Sequence, residues 1–218
     1  MKKIIALLLV AIISTFALSS CGDPMNVMGT GACTYLEDRD TTGRSIYYIE
    51  ICIEGYGRMV ALLDATTAPK TVAQFMALVK IGFYDGKTFH RVEPDLVIQG
   101  GCPNGDGTGG IVTKVDGEFA DNGWENDIKH RKGVIAMARG EDPDSASCQF
   151  YICNDNSYKL DGQYATFGYI VEGLSVIDAI TADAAQYGDP SNYYIISDKT
   201  VQPVIKYMKA LESWSPAK

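Results

Sequence analysis

Between residues 45 and 208 the chain is cut into short β-branched and aromatic runs, most of them closed by Gly, Pro, Asn or Asp, and this pattern limits its folds most. Such runs read as strands at 45–54, 58–63, 88–92, 95–100, 133–138, 149–153, 165–171 and 201–208. Gly55, Tyr56 and Gly57 turn the first run into the second as a hairpin. Only two stretches have helical spacing. One spans 67–80, with Pro69 placed early and Val72, Phe75, Met76 and Val79 on one face. The other is a short one at 175–180. Strands and helices do not alternate, so a doubly wound parallel sheet is excluded. A mainly β protein, a closed antiparallel β-barrel, is expected instead. Residues 102–126 are Gly-rich and polar, 181–199 form a long polar loop with several Tyr, and no internal repeat is present. The folded domain is expected at 45–209, followed by a tail at 210–218.

The N-terminus carries a targeting pattern. Lys2 and Lys3 precede an uncharged apolar run from 4 to 18. A comfortable membrane span needs roughly 20 residues, so the run fits the apolar core of a signal peptide. It ends Leu18-Ser19-Ser20-Cys21-Gly22, which resembles the bacterial lipobox, in which the Cys is lipidated and becomes the first mature residue. On that reading 1–20 is a signal peptide, Cys21 carries lipid, and 21–44 is a tether averaging roughly 25 Å end to end. The protein is then a lipid-anchored component of the bacterial cell envelope, on the periplasmic or outer-membrane side. The alternative is ordinary cleavage nearby, with Cys21 lost or left free.

Charge narrows the partners. The chain has 19 basic and 27 acidic side chains, and 1–20 holds two Lys and no acid, so the mature part has 17 against 27, a net of −10. No basic block is present, which argues against nucleic acid. Beyond Cys21 there are Cys33, Cys52, Cys102, Cys148 and Cys153, an odd number in a compartment that permits disulfides. None has the Cys-x-x-Cys or Cys/His spacing of a zinc site, so no metal is expected. Cys52 and Cys153 lie in strand-like runs and read as small core residues.

Two further chemistries are weak on context. Gly105, Gly107 and Gly110 satisfy the dinucleotide-loop spacing, but Pro103-Asn104 precedes them and no helical pattern follows. A hydrolase would need a nucleophile with a base; Cys102 or Cys148 paired with His90 or His130 stays the minor alternative, since neither histidine lies in a nucleophile motif.

The remaining signal is Phe89-His90-Arg91-Val92-Glu93-Pro94 followed by Val97-Ile98-Gln99-Gly100-Gly101. Arg91 and Gln99 are eight apart, which puts them on one face if both runs are strands, unless the Pro94-Asp95 turn resets the phase. A guanidinium donates hydrogen bonds in a fixed planar fork and is no general base. Read alone, Arg91 is a satisfied strand residue. With Gly107-Thr108-Gly109-Gly110, then 133–139, Ser147-Cys148-Gln149-Phe150-Tyr151-Ile152, Leu160-Asp161-Gly162 and Phe167-Gly168 in order, the chain resembles the cyclophilin family of peptidyl-prolyl isomerases. Upstream, Ala68-Pro69-Lys70-Thr71-Val72 and Gly82-Phe83-Tyr84-Asp85-Gly86 fit as well, so the resemblance covers about 45–208.

The resemblance implies an eight-stranded antiparallel barrel capped by two α-helices, a monomer, and no cofactor. It makes Arg91 the catalytic residue and Gln99 the residue that holds it, with His90 beside them. Leu96, Val97, Tyr151 and Leu160 would line a proline pocket with Tyr164 at its rim. The backbone at Ala138 and Arg139 would pair with substrate, and Gln149 would contact it from below. The substrates implied are proline-containing segments of envelope proteins. The alternative is a module that binds such segments with little isomerase activity. Leu96, Val97, Tyr151 and Tyr164 stand where the family commonly has Phe, Met, Phe and His. Lys159 stands where many members have the Trp associated with cyclosporin binding, so that drug is expected to bind weakly. Cys102 and Cys148 both border the expected active-site floor, where a disulfide and two free thiols are both open readings.

Overall fold

β1 (Ile46–Ile53) and β2 (Gly57–Asp64) form the hairpin expected from Gly55 and Gly57, in register from Ile46 opposite Asp64 to Ile53 opposite Gly57. The computed structural model describes residues 40–215. α1 (Pro69–Lys80) follows, with Pro in its first turn, where the missing N–H has no intrahelical acceptor to lose. Then come β3 (Phe89–Glu93), β4 (Val97–Gly100), β5 (Val134–Met137), β6 (Phe150–Cys153), β7 (Thr166–Glu172), α2 (Leu174–Ala184) and β8 (Ile205–Leu211).

The strands make one antiparallel sheet in the order β3-β4-β6-β5-β7-β2-β1-β8. It is mainly β and eight-stranded with two helices, as expected, but it is a curled half-barrel and not a closed barrel. The edge strands β3 and β8 are not laddered together. Their approaches touch through one bridge, Thr88 to Val204, and bonds such as Phe89 N–H to Pro203 C=O at 2.9 Å. The outer edge of β3 is taken instead by residues 194–196, which leaves β8 no ladder to join.

Alternation along the strands sorts side chains onto two buried faces. Phe89, Ile98, Ile135, Met137, Phe150 and Ile152 share one cluster with both helices. Val97, Val134, Ala136, Tyr151 and Cys153 belong to the other. On the helix side, Phe75 of α1 meets the rings of Tyr84, Phe150 and Phe167 at 5.0, 5.4 and 5.0 Å. Emptying that seat by Phe75→Ala is expected to cost about 3–5 kcal/mol. It would also loosen the layer directly behind Tyr151.

Several boundaries differ from the sequence reading. α2 runs to Ala184, past the expected 180. β8 begins at Ile205, because residues 199–201 form a 3-10 turn capped by the Asp198 side chain and Pro203 has no N–H to donate. The strand continues to Leu211, and Trp214 packs on Tyr48 (5.8 Å between rings) and donates to Glu172 (3.0 Å), so the first part of the expected tail is built into the fold. At the other end, Arg44 of the expected tether pairs with buried Asp64 at 2.8 Å.

The cysteines divide unexpectedly. Cys52 is disulfide-bonded, not a simple core thiol, and its partner lies outside the described residues. Cys102 and Cys148 are free and buried, so the bridge between them is not formed. The Cys102 sulfur turns into the glycine loop and accepts from Gly109 N–H at 3.2 Å. Cys153 is a free core thiol as expected, with its pKa pushed up to about 12 by burial. The signal peptide, Cys21, its lipidation and most of the tether lie outside the described residues. Among the described residues no helix is long and apolar enough to cross a membrane.

Candidate active site

β3 and β4 bring Arg91 and Gln99 directly opposite each other in the ladder, so the turn between them preserves the phase. Asp95 makes this possible by taking a left-handed conformation, φ 57°, immediately after Pro94. Arg91 Nη1 donates to Gln99 Oε1 at 3.1 Å. Gln99 Nε2 donates in turn to Gln149 Oε1 (3.0 Å), and Gln149 Nε2 donates to the carbonyls of Gly107 (2.8 Å) and Gly109 (2.6 Å). A chain of amides therefore ties the guanidinium to the glycine loop. Gly101 lets β4 leave the sheet into that loop: at φ 80°, a Cβ here would lie 2.9 Å from the Cys148 carbonyl oxygen.

Arg91 has two further partners. Its Nη2 pairs with the Glu93 carboxylate, and its Nε donates to the main-chain carbonyl of Tyr193 at 2.8 Å. Glu93 was legible in principle, since i and i+2 on a strand share a face. A contact to a backbone carbonyl about a hundred residues away leaves no mark in a side-chain pattern.

Arg91 and Gln99 stand at one side of a cleft of about 190 Å³. Leu96, Val97, Tyr151 and Leu160 supply its apolar lining, and Tyr164, Ala138 and Arg139 complete it. The structure thus gathers nine of the residues singled out from the sequence around one cavity. The other two stand behind it. Gln149 acts on Gln99 and the loop, as described. His90 is buried at 1 % exposure on the far side of β3, where its ring nitrogen faces Gly107. A bulge between Phe89 and Arg91 turns it away from the cleft. Burial drives its pKa down to about 4, the nearby Arg91 charge adds to this, and Asp106 opposes it. His90 is therefore neutral at pH 7 and offers substrate no surface.

The hydroxyl of Tyr151 points away from the cleft. It meets His130 Nε2 at 2.9 Å, and His130 Nδ1 meets Asp161 Oδ1 at 2.9 Å. With Asp161 accepting from Nδ1–H, Nε2 is the acceptor for the Tyr151 hydroxyl. Burial lowers the His130 pKa against the pull of Asp161, which keeps the ring neutral. The extra oxygen of Tyr151 is thus satisfied behind the cleft, and the floor stays apolar. Tyr164 stands edge-on to Tyr151 (5.7 Å, 84°) and is covered by the Arg139 guanidinium at 4.9 Å. Ala138 donates its N–H to the Gln149 carbonyl (3.0 Å).

A cleft with the tethered Arg91 guanidinium beside an apolar seat, and with no nucleophile paired to a base among its lining residues, suits an enzyme that binds a ring and stabilises a distorted conformation. The family model for cyclophilin type peptidyl-prolyl cis-trans isomerases matches residues 48–205, and the chain belongs to that family of enzymes. It is 44% identical over 126 residues to a peptidyl-prolyl cis-trans isomerase of Helicobacter pylori, covering 57% of this chain and 74% of that one. A Streptomyces antibioticus peptidyl-prolyl cis-trans isomerase is 40% identical over 157 residues, 68% of this chain and 89% of the relative. Among solved structures, a cyclophilin type isomerase of Cryptosporidium parvum, determined in the presence of the dipeptide Ala-Pro, superposes with a TM-score of 0.65. It shares 26% identity and covers 76% of this chain and 99% of its own.

Proposed function

We propose that this isomerase accelerates rotation about Xaa-Pro bonds in segments of cell-envelope proteins, with Arg91 stabilising the twisted prolyl amide. The observation that carries the reading is the Arg91 guanidinium, held by Gln99 at the side of an apolar cleft. Resonance gives the amide a rotation barrier of about 18–20 kcal/mol, and unaided prolyl exchange takes roughly 10–100 s. No covalent bond is made or broken, so neither nucleophile nor metal is required. The enzyme has only to favour the twisted form over both planar ones. In the twisted form the prolyl nitrogen recovers its lone pair and accepts a hydrogen bond. Arg91 donates that bond, while Leu96, Val97, Tyr151 and Leu160 hold the ring. The low polarity of the seat strengthens the contact. The main chain at Ala138 and Arg139 aligns the peptide, and Gln149 acts through Gln99.

The envelope location rests on the N-terminal pattern. Lys2, Lys3, the apolar run and Leu18-Ser19-Ser20-Cys21 support lipid attachment at Cys21, with the tether holding the domain near the membrane. Catalysis of exchange in a proline peptide by the full chain, measured beside Arg91→Ala, tests the chemistry. Metabolic labelling with a fatty-acid probe, in wild type and Cys21→Ala, tests the anchor. An unlabelled wild type would leave the envelope reading without its support.

A further inference from the structure

We infer that the connection between α2 and β8 is a positioning element of the isomerase site, and that its working group is the main-chain carbonyl of Tyr193. The inference rests on the reading of Arg91 as the catalytic residue. In the sequence this connection is only a polar loop. In the structure it folds back along β3 as a strap. Ile196 N–H donates to the His90 carbonyl at 2.8 Å, Val92 N–H donates to the Tyr194 carbonyl at 3.3 Å, and Ile195 bridges to Arg91. Ile196 is buried at 1 % exposure and anchors the strap in the core. The turn before it is drawn tight. Tyr194 N–H donates to the Asp189 carbonyl at 2.8 Å, and Gly188 packs so close to Tyr194 that a Cβ would lie 2.8 Å from its carbonyl oxygen.

At the bend, Tyr193 and Tyr194 both take the left-handed conformation, φ 54° and 59°. Non-glycine residues rarely adopt it, and two in succession are costly. The Tyr193 side chain is 76 % exposed, so its packing does not explain the bend. What the bend delivers is a carbonyl oxygen 2.8 Å from Arg91 Nε. Gln99 holds Nη1 and Glu93 holds Nη2. Acceptors on β3, β4 and the strap therefore fix the planar fork from three sides. Of the five N–H groups of an arginine, one on each terminal nitrogen is left for substrate. Without the strap, the Nε acceptor is lost and the fork is free to swing about the remaining two.

The test compares Tyr193→Val with Tyr193→Gly in the full chain. Both remove the aromatic ring, but valine disfavours the left-handed conformation and glycine accepts it. The valine variant is expected to show kcat roughly tenfold below the glycine variant, with KM changed little, because only the rotation step needs the aimed donor. The Arg91 Nε–H resonance in a nitrogen–proton NMR spectrum should stay protected from exchange in the glycine variant and lose that protection in the valine one. This signal reports the contact even if the valine variant is less stable. Equal kcat in the two variants, or an Nε–H that stays protected in both, overturns the inference. Wild-type turnover in Arg91→Ala would instead overturn the catalytic reading, and the role of the strap with it.

Discussion

Lowering the pH from 7 to 4 is expected to cost this fold about 3 kcal/mol through His90 alone. The ring is 1 % exposed, and its pKa falls from 6.5 to about 4, first because burial penalises the charged form and then because of Arg91. The folded state thus holds the proton less tightly than the unfolded chain. The stabilisation is complete above about pH 6.5 and is lost as the pH falls towards and through about 4. Across that window about 2.5 units separate the two states, and the part realised by pH 4 amounts to about 3 kcal/mol at 1.36 kcal/mol per unit. This is a large share of the roughly 5–15 kcal/mol that a domain commands. His130, also held below its ordinary pKa by burial, acts in the same direction. Carboxylates such as Glu50 and Asp144, held low in the folded state, add their own losses in acid. The His90 share is isolated by urea unfolding of wild type and His90→Leu at both pH values and fixed ionic strength. Wild type should lose about 3 kcal/mol more than the variant between pH 7 and 4. Equal losses would refute the assignment of a buried neutral ring to His90.

Tyr151→Phe leaves buried His130 Nε2 without its hydroxyl donor, and urea unfolding should show a loss of roughly 1–2 kcal/mol. Turnover should survive, because the hydroxyl points away from the cleft. Alkylation of the native, unreduced protein should leave Cys102, Cys148 and Cys153 unmodified until the chain unfolds, whereupon all three react and Cys52 does not. A Cys102–Cys148 bridge in that sample would contradict the geometry described. Cyclosporin should bind weakly by calorimetry, because exposed Lys159 presents a hydrated charge where the family commonly offers an indole, and Lys159→Trp should tighten it. Tight binding by the unaltered chain would mean that residues 154–160 are wrongly matched to the family.

Local patterns survived folding where the local physics decides the outcome. The hairpin at Gly55–Gly57 and the helix opened by Pro69 formed where turn chemistry and periodicity put them. Arg91 and Gln99 met because the strand period and an intact turn phase work together. The features that were not legible depend on distant groups. Whether the barrel closes is decided by residues 194–196 reaching the β3 edge before β8 does. The late start of β8 follows from the missing N–H of Pro203, which outweighs the strand preference of the β-branched run around it. His90 sits next to Arg91 in sequence, yet a bulge and strand alternation send it to the opposite side. Tyr193 acts through its main chain, which no residue type encodes.

The central claim is that a planar, fixed guanidinium at position 91 lowers the barrier to prolyl rotation. Arg91→Lys tests it most directly, because the variant keeps the positive charge but loses the fork. Exchange NMR on a proline-containing peptide with the full chain should show turnover reduced by on the order of a hundredfold, while circular dichroism and the unfolding midpoint stay close to wild type. Turnover within about twofold of wild type in a folded Arg91→Lys protein, less than about 0.5 kcal/mol of barrier, would contradict the claim.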